Sequence, residues 1–273
     1  MTAQATRMMI TSTTGTTSST DCARTNGTDD EFRSGGCSPG RPAPTGSVGG
    51  VTAFWILFGV AAASALVDWT AVARGARRIE YAAKPAVLAA LTLAAAVLPA
   101  DHTDLLHRKW WFVAALACSL AGDVLLMLPR DLFVPGLSAF LAGHVLFIVG
   151  LLQPPSPPGN PPFAFSPTGL AVAAVVVAAA AAGPAYLIFR SLLRGGHREL
   201  VVPVAVYLVA IGTMAVLAAN VGVPAATAGA ALFVVSDTVL ALNRFVRPLR
   251  HGDVAVHVTY HLAQGLLVLS LLH

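Results

Sequence analysis

In this chain of 273 residues, 56% are hydrophobic and only 11% are charged, far from the composition of a soluble globular domain. The formal net charge of +4 is carried by Lys and Arg standing singly or in small groups between apolar runs, a pattern that argues against a nucleic-acid partner and fits topology signals. With a mean hydropathy of +0.72, the chain is expected to be an integral membrane protein.

Met1 to Gly50 is rich in Ser, Thr, Gly and Pro and has no apolar stretch that could form a signal-peptide core. It is expected to be a disordered tail (1–50) ahead of a transmembrane catalytic domain (51–273). Cys22, Cys37 and Cys118 have neither metal-ligand spacing nor the look of a disulfide framework. Runs long enough to cross a bilayer, about 17 to 25 residues each, fall near 51–73, 82–100, 110–128, 132–152, 168–190, 200–219, 224–246 and 253–272. The expected fold is therefore all-α, a polytopic bundle of eight transmembrane helices. Short polar turns join most of them, so neighbours run antiparallel, and the Pro-rich "PPSPPGNPPFAFSP" separates the fourth from the fifth. The connections after the first, third, fifth and seventh spans, span ends included, carry four, one, three and three Lys and Arg, with Arg74, Arg77, Arg78 and Lys84 after the first, against two after the second and none after the fourth and sixth. The positive-inside rule then places both termini outside the cell membrane.

Taken in chain order, the spans carry few polar residues. Asp68 lies late in the first, Lys84 early in the second, Asp123 in "SLAGDVLLMLP" of the third and His144 in "FLAGHVLFI" of the fourth. The seventh holds Asp237 and Asn243 in "LFVVSDTVLALNRF", and the eighth holds His257, Tyr260, His261 and Gln264 in "DVAVHVTYHLAQGLL". A carboxylate at the centre of a membrane helix costs about 2.5 to 3.5 kcal/mol on insertion scales, so two of them call for partners or a task. Asp123 lies about thirteen residues below Trp110, roughly 20 Å along a helix. Asp237 lies about as far below Ala225, so the two aspartates are expected at one depth, in the inner half of the membrane. His144, His257, Tyr260, His261 and Gln264 pass through the same zone. Lys84, Asp68 and Asn243 are expected closer to the inner surface, where long side chains can reach headgroups, leaving the two aspartates without a cation at their depth.

A polar layer drawn from four helices implies a buried or water-filled cavity, although a lone intramembrane His or Gln also serves as interhelical glue. Two carboxylates facing one dry cavity resist being ionised together, so one can donate a proton while the other stays charged. That division of labour is the one used in glycoside hydrolysis, and it suits an acid-labile ether, acetal or vinyl ether. The residues alone lead to an intramembrane acid/base hydrolase of a lipid-like substrate. Two other readings stay open. A metal site could draw on His144, His257, His261 and the aspartates, but Val258 follows His257 where a zinc-protease helix has Glu. A proton-coupled transporter would also use membrane carboxylates, but no inverted repeat of helices is visible.

Five segments, "AAKPAVLA", "GDVLLML", "GLSAFLAGHVLFI", "GAALFVVSDTVLALNRF" and "TYHLAQGLL", occur in that order between residues 51 and 272. Together they resemble the YhhN-like lysoplasmalogenase family. The resemblance implies a multi-pass membrane enzyme that uses water to cleave the vinyl ether bond at the first glycerol carbon of a lysophospholipid. The products would be a fatty aldehyde and glycerophosphoethanolamine or glycerophosphocholine, with neither cofactor nor metal. It makes Asp123 and Asp237 the catalytic pair, one protonating the β carbon and the other countering the oxocarbenium charge. Tyr260, Gln264 and His144 are then expected to orient water or the glycerol oxygen. Lys84, with Arg78 or Arg244, would hold the phosphate, and Asn243 and His261 complete the candidate binding set. High alanine content and Arg in preference to Lys suggest a GC-rich bacterial genome, hence a bacterial plasma membrane whose lipids surround the bundle.

Overall fold

The computed structural model describes residues 46–99, 103–153 and 165–272. The expected tail lies outside the described residues up to position 45, as does most of the Pro-rich segment. Eight helices follow in order: α1 (Gly46–Ala73), α2 (Arg77–Val97), α3 (Thr103–Met127), α4 (Phe133–Leu151), α5 (Pro167–Arg194), α6 (Val201–Asn220), α7 (Pro224–Phe245) and α8 (Gly252–Leu269). Short 3-10 turns, Arg198–Leu200 and Ser270–Leu272, precede α6 and follow α8. All eight are long and apolar enough to cross a membrane, and no strand occurs among the described residues. The protein is a multi-pass, all-α membrane protein.

Helix ends differ from the apolar runs where polar residues can extend a helix. α2 begins at Arg77, five residues ahead of the expected span, because Arg and Glu are good helix formers and the first turn lies outside the apolar run. α1 starts at Gly46 instead of 51, through Gly-Ser-Val-Gly-Gly, where helix propensity offers no reason for the extension. The start of α4 is set at Phe133, whose N–H donates to Asp131 Oδ1 at 3.3 Å. Pro135 then falls in the first turn, where a missing N–H costs nothing. Ser166 caps α5 by accepting from the Gly169 N–H at 3.2 Å, with Pro167 at the first helical position.

The packing follows the connections. α1 pairs with α2, α3 with α4 and α7 with α8; contacts of α2 with α3, α4 with α6, α6 with α7 and α8 with α1 close a ring of seven helices. α5 lies outside that ring, against α6 and α7. α8 is the most enclosed helix and α5 the least. In the α3–α4 seam small residues let the backbones approach: a Cβ on Gly122 would come within 2.7 Å of the Phe140 ring, and one on Gly150 within 2.7 Å of Phe112. Phe54, Leu88, Leu91, Phe112, Phe147, Met214, Phe233 and Leu267 fill the ring's interior. At one end this filling stops and a cavity begins.

Candidate active site

The cavity, about 710 Å³, opens at the end of the bundle where the α1–α2, α3–α4 and α7–α8 connections lie. Leu126, Leu137, Phe140 and Leu240 give it apolar walls, Asp123, Asp237, Lys84, Tyr207, His257 and Tyr260 its polar groups, and Arg77, Glu80, Arg244 and Asp253 further charged groups. An apolar chamber with a few convergent polar side chains is the usual form of a small-molecule site.

Asp123 on α3 is 1% exposed. Lys84 Nζ, from α2, lies 3.0 Å from its Oδ1, and the Tyr260 hydroxyl, from α8, donates to its Oδ2 at 2.9 Å. The Tyr260 ring is wedged edge-on between Phe140 and Phe233, with centroids 5.9 and 5.5 Å away, which fixes the direction of that hydroxyl. Pro85 follows Lys84 inside α2 and cannot donate to the carbonyl of Tyr81. The expectation that Lys84 reaches towards headgroups is therefore corrected: it turns inward, because a buried carboxylate on the neighbouring helix offers it an ion pair.

Asp237 on α7 has a different set of partners. The Tyr207 hydroxyl, from α6, donates to its Oδ2. His144 Nε2, from α4, lies 2.8 Å from the Tyr207 oxygen and 3.5 Å from Asp237 Oδ2. Since the Tyr207 proton goes to Asp237, His144 donates through Nε2, giving a line from His144 to Tyr207 to Asp237. The side chain of Asp237 is 13% exposed, more open than that of Asp123.

A third group joins α1 and α8. Asp68 is fully buried and its Oδ2 lies 2.7 Å from His257 Nδ1. Trp69 Nε1 donates to His261 Nδ1 at 3.1 Å. Asp68 turns inward in the same way as Lys84, to a histidine on the most enclosed helix.

Of the residues expected in the site, the structure brings Asp123, Asp237, Lys84 and Tyr260 together around one cavity, with His144 one hydrogen bond behind. Gln264 lies one turn beyond Tyr260, fully buried, and it does not line the cavity. His261 is held behind the cavity by Trp69. Asn243 ties the α7–α8 turn, donating to Asp253 Oδ1 at 2.9 Å and accepting from the Leu249 N–H at 2.6 Å. Arg77, one residue from the expected Arg78, lines the cavity with Arg244, whose Nη2 reaches Asp131 Oδ1 at 2.9 Å. Tyr207 is the residue that sequence reasoning missed. Its signal was a lone hydroxyl in the otherwise apolar run "VPVAVYLVAIG".

Among the described residues, no group of three or more His, Cys, Asp and Glu side chains is arranged to hold a metal ion. The model of the YhhN family matches residues 79–271. Human lysoplasmalogenase TMEM86B is 35% identical over 158 residues, covering 58% of this chain and 62% of that protein. Pig lysoplasmalogenase TMEM86B is 35% identical over 157 residues, 57% of this chain and 61% of that protein. A lysoplasmalogenase of Mycobacterium tuberculosis is 33% identical over 167 residues, 60% of each chain. The chain thus matches about 60% of the length of these curated relatives. No solved structure matches it.

Proposed function

The chain belongs to the YhhN family, and on that premise we propose that it hydrolyses the vinyl ether bond of lysoplasmalogens, releasing a fatty aldehyde and glycerophosphoethanolamine or glycerophosphocholine. The observation that carries this reading is that carboxylates from two helices line one apolar cavity, each on its own set of donors. Vinyl ether cleavage needs a proton delivered to the β carbon and a negative group facing the cationic carbon next to oxygen. Asp237, the more open of the two and in line with Tyr207 and His144, is the donor. Asp123, fixed by Lys84 and Tyr260, is the carboxylate that faces the cation. Preorganised charge of this kind between apolar walls is worth far more than in bulk solvent.

The apolar walls suit the alkenyl chain, and Arg77 and Arg244 suit the phosphate. Lys84 is committed to Asp123 and leaves that task to the arginines. Since the charged end of the cavity lies at the connections richest in Lys and Arg, it faces the cytoplasm, with both chain termini outside and the bundle in a bacterial plasma membrane.

The test is aldehyde release from a lysoplasmalogen by the purified, detergent-solubilised protein, beside Asp123→Asn and Asp237→Asn and with added chelator. Turnover lost in both variants and indifferent to chelator supports the scheme. Near-full turnover in either variant sinks it, and loss on chelation replaces it with a metal hydrolase.

A further inference from the structure

Each aspartate already holds hydrogen-bond or ion-pair partners. Lys84 and Tyr260 engage Asp123, while Tyr207 engages Asp237. The attack of water on an oxocarbenium carbon still needs an acceptor for one water proton. We propose that His257, oriented by Asp68, is that acceptor, a catalytic base for the vinyl ether hydrolysis proposed above and dependent on that reading.

Three observations carry it. The first is the pairing itself: the buried Asp68 carboxylate, on α1, lies 2.7 Å from His257 Nδ1, on α8. A carboxylate on one ring nitrogen fixes the tautomer and ring orientation and leaves the other nitrogen to accept. The second is that His257 lines the same cavity as both aspartates. Its Nε2 points away from Asp68 towards α2, 3.9 Å from Glu80 Oε1, a gap too long for a direct hydrogen bond. The third is that a competitor is kept away. His261 Nδ1 accepts from Trp69 and stays 3.7 Å from Asp68 Oδ2, so among the described residues the Asp68 carboxylate bonds His257 and not His261. The charged and titratable groups that line the cavity with His257 are Arg77, Glu80, Tyr81 and Lys84 from α2, Asp123 from α3, Tyr207 from α6, Asp237 and Arg244 from α7, and Asp253 and Tyr260 from α8, with Asp68 from α1 and His261 from α8 beside its ring.

The protons balance. The carboxylic acid gives its proton to the β carbon, and the water oxygen bonds to the carbon next to the ether oxygen as His257 Nε2 takes one water proton. The hemiacetal then breaks its bond to the glycerol oxygen. That oxygen receives the proton from His257, and the hemiacetal hydroxyl returns its proton to the carboxylate as the aldehyde forms. Asp68 acts only through His257 and is a positioning residue.

The experiment compares wild type, His257→Gln, His257→Ala, Asp68→Asn and Asp123→Asn, each checked for a monodisperse, folded state in detergent, by kcat, KM and the pH profile of aldehyde release. For His257→Gln, kcat is expected to fall about 100-fold or more with KM little changed, the range for loss of a general base. The acidic limb of the profile should vanish in that variant, and added imidazole should restore part of the turnover of His257→Ala. Asp68→Asn should displace the acidic limb, which a merely structural aspartate would leave in place. His257→Gln with more than a third of wild-type kcat and an unchanged limb overturns the proposal. Should the His257 variants fail to fold, Asp68→Asn decides, and an unchanged limb there overturns it equally. A wild type that turns over while Asp123→Asn does not, beside an active His257→Gln, removes the base and keeps the hydrolase. A folded wild type that releases no aldehyde removes both.

Discussion

Lys84 Nζ sits 3.0 Å from Asp123 Oδ1, and the carboxylate side chain is only 1% exposed. Breaking a buried ion pair by removing one partner strands the other charge, at a cost of about 3–5 kcal/mol. Lys84→Met is therefore expected to lower stability by roughly that amount in denaturant unfolding from mixed micelles. Lys84→Met combined with Asp123→Asn should recover most of the loss, because no charge is left stranded, yet remain inactive. A double variant no more stable than Lys84→Met alone would show that the pair is not coupled.

Tyr207 stands between His144 and Asp237 and has no counterpart among the residues picked out from the sequence. Tyr207→Phe keeps the ring, whose centroid lies 5.1 Å from that of His144, and removes only the hydroxyl. Asp237 becomes a charged carboxylate as it gives up its proton, and a hydrogen bond to a charged group is worth about 1.5–3 kcal/mol, or roughly 10- to 150-fold in rate. The expected outcome in the aldehyde assay is a drop of that size in kcat with KM nearly constant. A change confined to KM would assign Tyr207 to substrate binding instead.

The α7–α8 turn is built on one close contact. His251 adopts a left-handed backbone, with φ of 58°, and Gly252 follows with no room for a side chain, since a Cβ there would meet Asn243 Nδ2 at 2.6 Å. Gly252→Ala must push Asn243 off Asp253 and the Leu249 N–H, and overpacking of this kind costs about 1–3 kcal/mol. Thermal melting in detergent should place Gly252→Ala and Asn243→Ala close together and both below wild type. If Asn243→Ala melts like wild type while losing affinity for substrate, the asparagine binds substrate and the turn does not depend on it.

The eight spans and the two aspartates were legible because both rest on one-dimensional quantities. Hydropathy reports which residues lie in lipid, and position along a helix reports depth at about 1.5 Å per residue. Azimuth is not one-dimensional. Whether Lys84 turns out to headgroups or in to Asp123 depends on how α2 is rotated against α3, and that rotation is set by packing across the ring. The same holds for Tyr207, whose depth was readable but whose aim at Asp237 required α6 to lie between α4 and α7. The partners of Asn243 were hidden for a related reason: it lies near the end of α7, and the α7–α8 turn folds back onto it and uses both ends of its amide.

Arg244 supplies the last prediction, because it separates binding from chemistry. Its guanidinium lies 4.2 Å from the Phe133 ring centroid and bonds Asp131, so it is held beside the cavity before any lipid arrives. An arginine that holds phosphate equally in the ground and transition states raises KM when removed and leaves kcat alone. Arg244→Gln should therefore raise KM for a lysoplasmalogen about tenfold, equivalent to about 1.4 kcal/mol. The same variant should act like wild type on an alkenyl glycerol that lacks the phosphate. Asp131→Asn removes a competing anion and is expected to lower KM, or at least not to raise it. Equal losses on both substrates would mean that Arg244 supports the fold around Phe133, and the phosphate would then fall to Arg77.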